Sequence, residues 1–162
     1  MTVDAPELAD SDLLARAAAN PLHLDQQLCF ALYASASLIV RLYRPHLDPL
    51  GLTYPQYLVM LVLWERAPFT VGEIGQKLEL DSATLTPLLK RLERRGYLTR
   101  TRDPADERRV LVAPTEAGTA LREAALGVPE AVACQIPLPL ADLLALREEL
   151  TALRRVLPTG AD

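Results

Sequence analysis

Residues 70–113 read TVGEIGQKLELDSATLTPLLKRLERRGYLTRTRDPADERRVLVA. Thr70-Val71-Gly72-Glu73 is a capping box, with Thr as cap and Glu reaching back, and it predicts a short helix through about Leu78. Leu80-Asp81-Ser82 reads as a turn and cap, and a second helix follows from about Ser82 to Arg95, stopped by Gly96. Thr84, Thr86, Lys90 and Arg91 point outward from it, and Ser82 opens it. Two short helices joined by a tight turn make a helix-turn-helix. Pro87 is a mild conflict, because it deletes one backbone donor inside the second helix. Tyr97–Arg102 and Arg109–Ala113 then flank a polar turn, Asp103–Arg108, containing Asp-Pro, which predicts a β-hairpin. A hairpin straight after a recognition helix is a wing. The expected fold class is mainly α with a small β-hairpin wing, a winged helix-turn-helix.

Charge points the same way. The whole chain carries −4. Between Ser82 and Ala113 the basic residues Lys90, Arg91, Arg94, Arg95, Arg100, Arg102, Arg108 and Arg109 face Glu93, Asp103, Asp106 and Glu107, so 8 − 4 = +4. The remainder therefore carries −8 (−4 − 4). A basic island in an acidic protein is the footprint expected of a DNA-binding face.

Outward from this stretch the pattern is helical. Thr53-Tyr54-Pro55-Gln56 is another capping box, and the helix it opens, to about Arg66, is apolar on nearly every side, as a buried central helix should be. Upstream, Leu24, Leu28, Ala31, Leu32, Leu38, Ile39 and Leu42 recur at helical spacing. This helix is expected to run to about Arg44, with Asp25 near its start and Pro45, Pro49 and Gly51 breaking it. Downstream, Thr115 caps a helix from Glu116 to about Ala133, Pro137 and Pro139 interrupt, and a last helix runs from about Leu140 to Leu157. Residues 1–20 read as a mobile, acidic, Ala-rich arm with a short helix near Leu13–Ala19. Residues 21–162 read as a single domain, with 21–52 and 115–158 as dimerisation helices around a DNA-binding lobe at 53–114. The winged core alone cannot cover two long terminal helices with apolar stripes. A homodimer built from them is the simplest solution, and its two-fold symmetry suits a palindromic operator.

Composition excludes several classes. Half the residues are apolar, which sets disorder aside for the body of the chain. The start lacks a signal-peptide pattern, and the longest apolar run, Tyr57–Trp64, is too short to span a bilayer, so the expected location is the cytoplasm, with no membrane partner. His23 and His46 stand alone, so no metal is expected. Neither a Gly-rich phosphate loop nor a Ser/His/Asp arrangement is evident, so no cofactor and no enzyme activity are expected.

Two cysteines in a reducing compartment are not a disulfide framework. Their neighbours argue against plain buried thiols. Cys29 lies in the first turn or two of its helix, where the dipole favours an anion. Tyr33, Tyr43 and Tyr54 follow it by four, fourteen and twenty-five positions (33 − 29, 43 − 29, 54 − 29). Tyr33 is one turn on and shares its face. Tyr43 has nearly the same azimuth but sits about 21 Å further along the axis. It can serve Cys29 only from a second copy of the helix packed antiparallel. Any one of these tyrosines alone would read as an amphipathic core or interface residue, and the case rests on the set.

The stretch Leu24-Asp25-Gln26-Gln27-Leu28-Cys29-Phe30-Ala31-Leu32-Tyr33 is similar to the sensing helix of OhrR-type repressors, the organic-hydroperoxide branch of the MarR winged-helix regulators. Leu50–Tyr57, Thr84–Glu93 and the wing's Asp106-Glu107-Arg108 continue the resemblance, which covers roughly residues 24–157. It implies that Cys29 is the peroxidatic thiol. It implies that Tyr43 and Tyr54 hydrogen-bond its thiolate across a dimer, with Tyr33 a further pocket tyrosine. Cys134 matches the resolving thiol of two-cysteine members. Arg108 resembles the wing arginine of the minor groove, and Ser82, Thr84, Thr86 and Lys90 align with the recognition-helix face. Arg102, on the wing, joins them in the expected DNA-binding set.

The expected function is a repressor of operator DNA that organic hydroperoxides release. Cys29 is oxidised to sulfenic acid and then joined to Cys134, which strains the terminal helices and spoils the spacing of the lobes. Apolar neighbours such as Phe30 and Leu32 would favour organic hydroperoxides over hydrogen peroxide. Two alternatives carry the same residues: a MarR-type regulator of a non-oxidant small ligand, and a thiol peroxidase. A wing and a recognition helix speak against the peroxidase, which has no need of them.

Overall fold

The computed structural model describes residues 21–157. The expected arm at residues 1–20, with its short helix, lies outside them. The chain divides into two compact units, one ending at Arg41 and the other beginning at Leu42.

The first long helix, α1, spans Leu28–Leu47 and crosses that division. It begins later than its apolar spacing suggests, because Leu24–Gln26 form a separate 3-10 turn, and Asp25 lies in that turn rather than at the helix start. It also ends later. Pro45 sits inside the last turn instead of breaking it. A proline there deletes only its own N–H bond, which a terminal turn tolerates better than an interior one. The break comes at Asp48–Leu50, a second 3-10 turn, and at Gly51, whose φ of 66° is a left-handed conformation that glycine adopts freely.

Helix α2 (Tyr54–Glu65) opens on the expected capping box, with Gln56 Oε1 accepting from the Thr53 N–H at 2.9 Å. Gln56, Tyr57, Val59, Met60, Val62 and Leu63 are all buried, which makes α2 the central helix of its unit. Strand β1 (Phe69–Thr70) follows, a two-residue strand that no periodicity announces. Thr70 then doubles as the cap of α3 (Val71–Leu78). It accepts from the Glu73 N–H at 3.2 Å, while Glu73 accepts from the Thr70 N–H at 2.7 Å. Glu79, at φ 54°, turns the chain toward α4 (Ser82–Arg94), capped by Asp81. Pro87 lies inside α4, so the conflict it posed does not break the helix.

Strands β2 (Leu98–Asp103) and β3 (Asp106–Pro114) form the hairpin. Its turn is tighter than the polar stretch suggested. Asp103 pairs with Asp106, so only Pro104 and Ala105 lie between the strands, and Asp106, Glu107 and Arg108 belong to β3. β1 adds to the other side of β3 through Phe69 opposite Val112, giving a three-stranded antiparallel sheet in the order β1-β3-β2.

The helix expected from Glu116 to Ala133 is two: α5 (Glu116–Ala125) and α6 (Val128–Ala133). Gly127 and Pro129 break it, the first as N-cap of α6 and the second in its first turn. Helix α7 (Leu140–Val156) ends the described chain. The core gathers α2, α3, α4, the sheet and α5–α6 around Tyr57, Met60, Ile74, Leu85, Leu89, Leu92, Leu98 and Val112. Two contacts fix α5 against it. Trp64 Nε1 donates to the Gly118 carbonyl at 2.9 Å. Gly118 itself lies so close to the Tyr97 carbonyl that a Cβ would sit 1.9 Å from that oxygen.

Candidate functional site

Helix α4 has two unlike faces. Leu85, Leu89 and Leu92 are buried, while Ser82, Thr84, Lys90, Arg91 and Arg94 are exposed. Ser82, Thr86, Lys90 and Arg94 follow one another at four-residue steps and therefore form one row along the helix. The Asp81 cap pins the start of this row, with Oδ1 accepting the Thr84 N–H at 2.6 Å. Those bonds hold the Asp81 carboxyl below the usual aspartate range. Thr86 is only half-exposed, and its hydroxyl donates back to the Ser82 carbonyl at 2.6 Å. Thr86, Pro87, Lys90, Arg91 and Arg94 line an open concavity of about 560 Å³ whose remaining walls are Glu93 and Arg100.

The basic residues do not all face solvent freely. Arg95 donates to the Gly51 carbonyl. Arg100 Nε meets Glu93 Oε2 at 2.9 Å. On the wing, Arg102 Nη1 reaches the Glu107 carbonyl across the hairpin at 3.4 Å. Arg108 is exposed on β3, with its Nε 3.1 Å from Asp106 Oδ1, an oxygen that also accepts the Arg108 backbone N–H at 3.1 Å. Bonding to Arg108 holds the Asp106 carboxyl below its ordinary range. Among the described residues, Lys90, Arg91, Arg94 and Arg109 are in no ion pair.

Cys29 and Tyr33 stand in the first unit, one turn apart on α1, and both are exposed. Cys29 is the second residue of α1, in its first turn as expected. Cys134 belongs to the second unit, where it caps the C-terminus of α6. It too is a free, exposed thiol. The structure brings together two of the expected tyrosines and adds a third. The rings of Tyr43 and Tyr54 are 4.8 Å apart, and Tyr57 lies 6.0 Å from Tyr43 and 6.5 Å from Tyr54. Burial pushes all three phenol pKa values up, so these hydroxyls stay protonated at neutral pH. Sequence reasoning, which counted outward from Cys29, passed over Tyr57, although its three-residue spacing from Tyr54 puts the two on one face of α2.

Comparison with known proteins fixes the family. The MarR family model matches residues 52–110, the helix-turn-helix and most of the wing. The organic hydroperoxide resistance transcriptional regulator of Bacillus subtilis (strain 168) is 51% identical over 108 residues, spanning 67% of this chain and 74% of that protein. The chain belongs to the MarR family. AbfR of Staphylococcus epidermidis is also similar. Reduced AbfR bound to DNA matches at TM-score 0.68 and 40% identity, over 82% of this chain and 92% of that one. Disulfide-formed AbfR matches at TM-score 0.57 and 35% identity, over 87% and 94%.

The protein is thus a MarR-type DNA-binding transcriptional regulator, of a family of regulators rather than enzymes. Among the described residues no helix is long and apolar enough to cross a membrane, and no cluster of His, Cys, Asp or Glu has metal-site geometry. In this MarR regulator Arg94, counted in the basic island but not among the expected DNA-contacting residues, completes the outward row of α4, and its four-residue spacing from Lys90 was the available signal.

Proposed function

We propose that this regulator is a homodimeric repressor that organic hydroperoxides release from operator DNA through oxidation of Cys29. The observation that carries the reading is a free, exposed Cys29 in the first turn of α1, in a chain 51% identical to an organic hydroperoxide resistance regulator. Residues 53–114 form the DNA-binding lobe. In it the Ser82, Thr84, Thr86 and Lys90 face enters the major groove, and Arg108 and Arg102 follow the wing to the backbone and minor groove. Segments 21–52 and 115–158 dimerise. Their exposed apolar side chains support this: Leu28 and Tyr33 on α1, and Leu140, Leu144, Leu146 and Leu150 on α7. Water-exposed apolar rows of this kind are what a partner covers.

The chemistry needs no cofactor. Cys29 thiolate sulfur attacks the terminal oxygen of the hydroperoxide. An S–O bond forms, the O–O bond breaks, and the alkoxide leaves and takes a proton to become the alcohol. Tyr43 and Tyr54 of the partner subunit, held neutral by burial, donate to the thiolate. Tyr33 borders the same pocket. The Cys134 thiolate of the partner subunit then attacks the sulfenic sulfur, the S–S bond forms as the S–O bond breaks, and the departing hydroxide takes a proton from solvent to become water. Disulfide-formed and reduced, DNA-bound states are both known for AbfR, which supports the two-state reading.

Cys29→Ser protein should bind operator DNA as the wild type does and remain bound in cumene hydroperoxide; release of that variant by the oxidant would remove Cys29 from the mechanism. Oxidised wild type should run as a covalent dimer on a non-reducing denaturing gel, and Cys134→Ser as a monomer. A monomeric product with an internal Cys29–Cys134 link would overturn the intersubunit assignment and leave the sensor standing.

A further inference from the structure

The DNA-facing concavity has an acid in its wall. Glu93 stands in the last turn of α4 beside Lys90, Arg91 and Arg94, and its partner Arg100 stands on β2. Both Arg100 Nε and Nη2 go to the same oxygen, Glu93 Oε2. Side-chain exposures of 24% and 35% make this the most enclosed ion pair among the described residues. Arg100 lies in the part of β2 that is backed by all three strands. It pairs with Val112, which is fully buried and pairs in turn with Phe69 of β1. The guanidinium therefore hangs from the rigid base of the wing, not from its tip at Pro104 and Ala105.

We propose that Glu93 and Arg100 are positioning residues for DNA binding: the pair locks the recognition helix to the base of the wing, so that the Thr86–Lys90–Arg94 row and Arg108 meet one duplex in register, and Arg100 is not itself a phosphate ligand. On the core side, Leu89, Leu92 and Leu98 hold α4 against the sheet, but apolar contacts are non-directional and permit small rotations. On the solvent side, among the described residues, Glu93–Arg100 is the ion pair that joins α4 to the hairpin. Arg100 has both of its bonded nitrogens committed to one carboxylate oxygen, a charge-assisted arrangement that fixes direction as well as distance. The inference rests on the DNA face proposed above.

Charge and positioning give opposite signs for one variant. Glu93→Gln removes a negative charge from a DNA-facing wall, so electrostatics alone predicts tighter binding. Positioning predicts weaker binding, roughly fivefold per half-site, with an unchanged salt slope. The probe is a fluorescein-labelled duplex enriched from a randomised pool by the wild-type dimer, titrated by anisotropy at several salt concentrations. Arg100→Gln should weaken binding by a similar factor without changing the slope of log affinity against log salt. Lys90→Ala, a phosphate or base contact, should lower that slope by about one. The exchanged pair, Glu93→Arg with Arg100→Glu, should recover most of the lost affinity, a rescue that general destabilisation would not give. Equal or tighter binding by Glu93→Gln would overturn the proposal. So would a slope lowered by about one in Arg100→Gln, or failure of a folded exchanged pair to recover affinity. If Lys90→Ala and Arg108→Ala also bind as wild type, the DNA face itself is wrong. If those two weaken binding and Glu93→Gln does not, the fault lies in the positioning claim alone.

Discussion

Between Leu52 and Val112 the chain closes on itself, whereas helix α7 has no buried residue at all. The two regions carry comparable apolar side chains and use them differently. In the winged region Leu85, Leu89 and Leu92 are 0–1% exposed, because α3, the sheet and α2 supply the other half of each contact. On α7, Leu144, Leu146 and Leu150 are 41–49% exposed. A leucine left in water forgoes about 2 kcal/mol of burial, so several half-exposed ones in one helix are an apolar surface that the described residues leave uncovered. The difference teaches that one region folds by its own contacts, while the other leaves an apolar face open, the face through which the regulator is proposed to pair with a second copy.

That comparison breaks most severely at α7. Leu146→Asp with Leu150→Asp places two charges on one face of the helix. If α7 dimerises, the variant should become monomeric by light scattering and lose more than about 100-fold in operator affinity, since a monomer engages only one half-site. The winged region should keep its helical circular dichroism, since neither residue enters the core. A variant that stays dimeric would move the interface elsewhere.

Much of this division was legible in the sequence. The three capping residues Thr53, Thr70 and Thr115 mark helix starts that the structure keeps, because caps act locally and their partners lie three residues away. Features set by distant partners were not legible. Phe69–Thr70 becomes a strand only because Val112 and Leu111 offer it an edge. The wing turn shrank to Pro104-Ala105 because cross-strand pairing reached further than the polar composition suggested. Pro45 and Gly127 depart from the sequence pattern in opposite directions: the last turn of α1 absorbs the proline, while the glycine, with Pro129 after it, breaks a helix that the pattern carries through. At the candidate site, the spacing of the tyrosines from Cys29 did not announce the Tyr43–Tyr54 contact, because the two rings come from different helices and meet, with Tyr57, only through packing of α2 against α1's last turns. The Glu93–Arg100 pair was hidden inside a charge count, where both residues were merely one plus and one minus.

A smaller effect tests the closed side of the comparison. Gly118→Ala puts a Cβ 1.9 Å from the Tyr97 backbone oxygen, and a backbone atom cannot swing aside as a flexible side chain can. The variant should lose about 3 kcal/mol in denaturant unfolding, the upper range for overpacking. Gly72→Ala, with nothing within 4 Å of its added Cβ, should be neutral or gain about 0.5 kcal/mol from helix propensity. Similar stabilities for the two would mean that α5 is not seated on the winged core as described.

The smallest effect sits where the closed region meets the proposed sensor. Tyr43 and Tyr54 lie in the self-contained unit, yet their hydroxyls are proposed to serve a thiolate from another chain. Each phenol is pushed above its ordinary pKa of about 10 by burial, so each remains a donor at neutral pH. Tyr43→Phe and Tyr54→Phe keep the tilted ring contact and remove one donor each. Either variant should slow Cys29 oxidation by about tenfold, the value of one hydrogen bond to a charged group, without changing operator affinity in the reduced state. Stopped-flow oxidation with cumene hydroperoxide reads this directly. The same burial gives an independent check of sign. Above about pH 10 the unfolded chain's tyrosines lose their protons first, the folded state then binds more protons than the unfolded one, and stability falls as pH rises. Tyr43→Phe should therefore narrow the drop in unfolding midpoint between about pH 9 and about pH 11. Wild-type oxidation rates in both Phe variants, with that alkaline drop still narrowed, would show that the tyrosines pack the closed unit and serve no thiol.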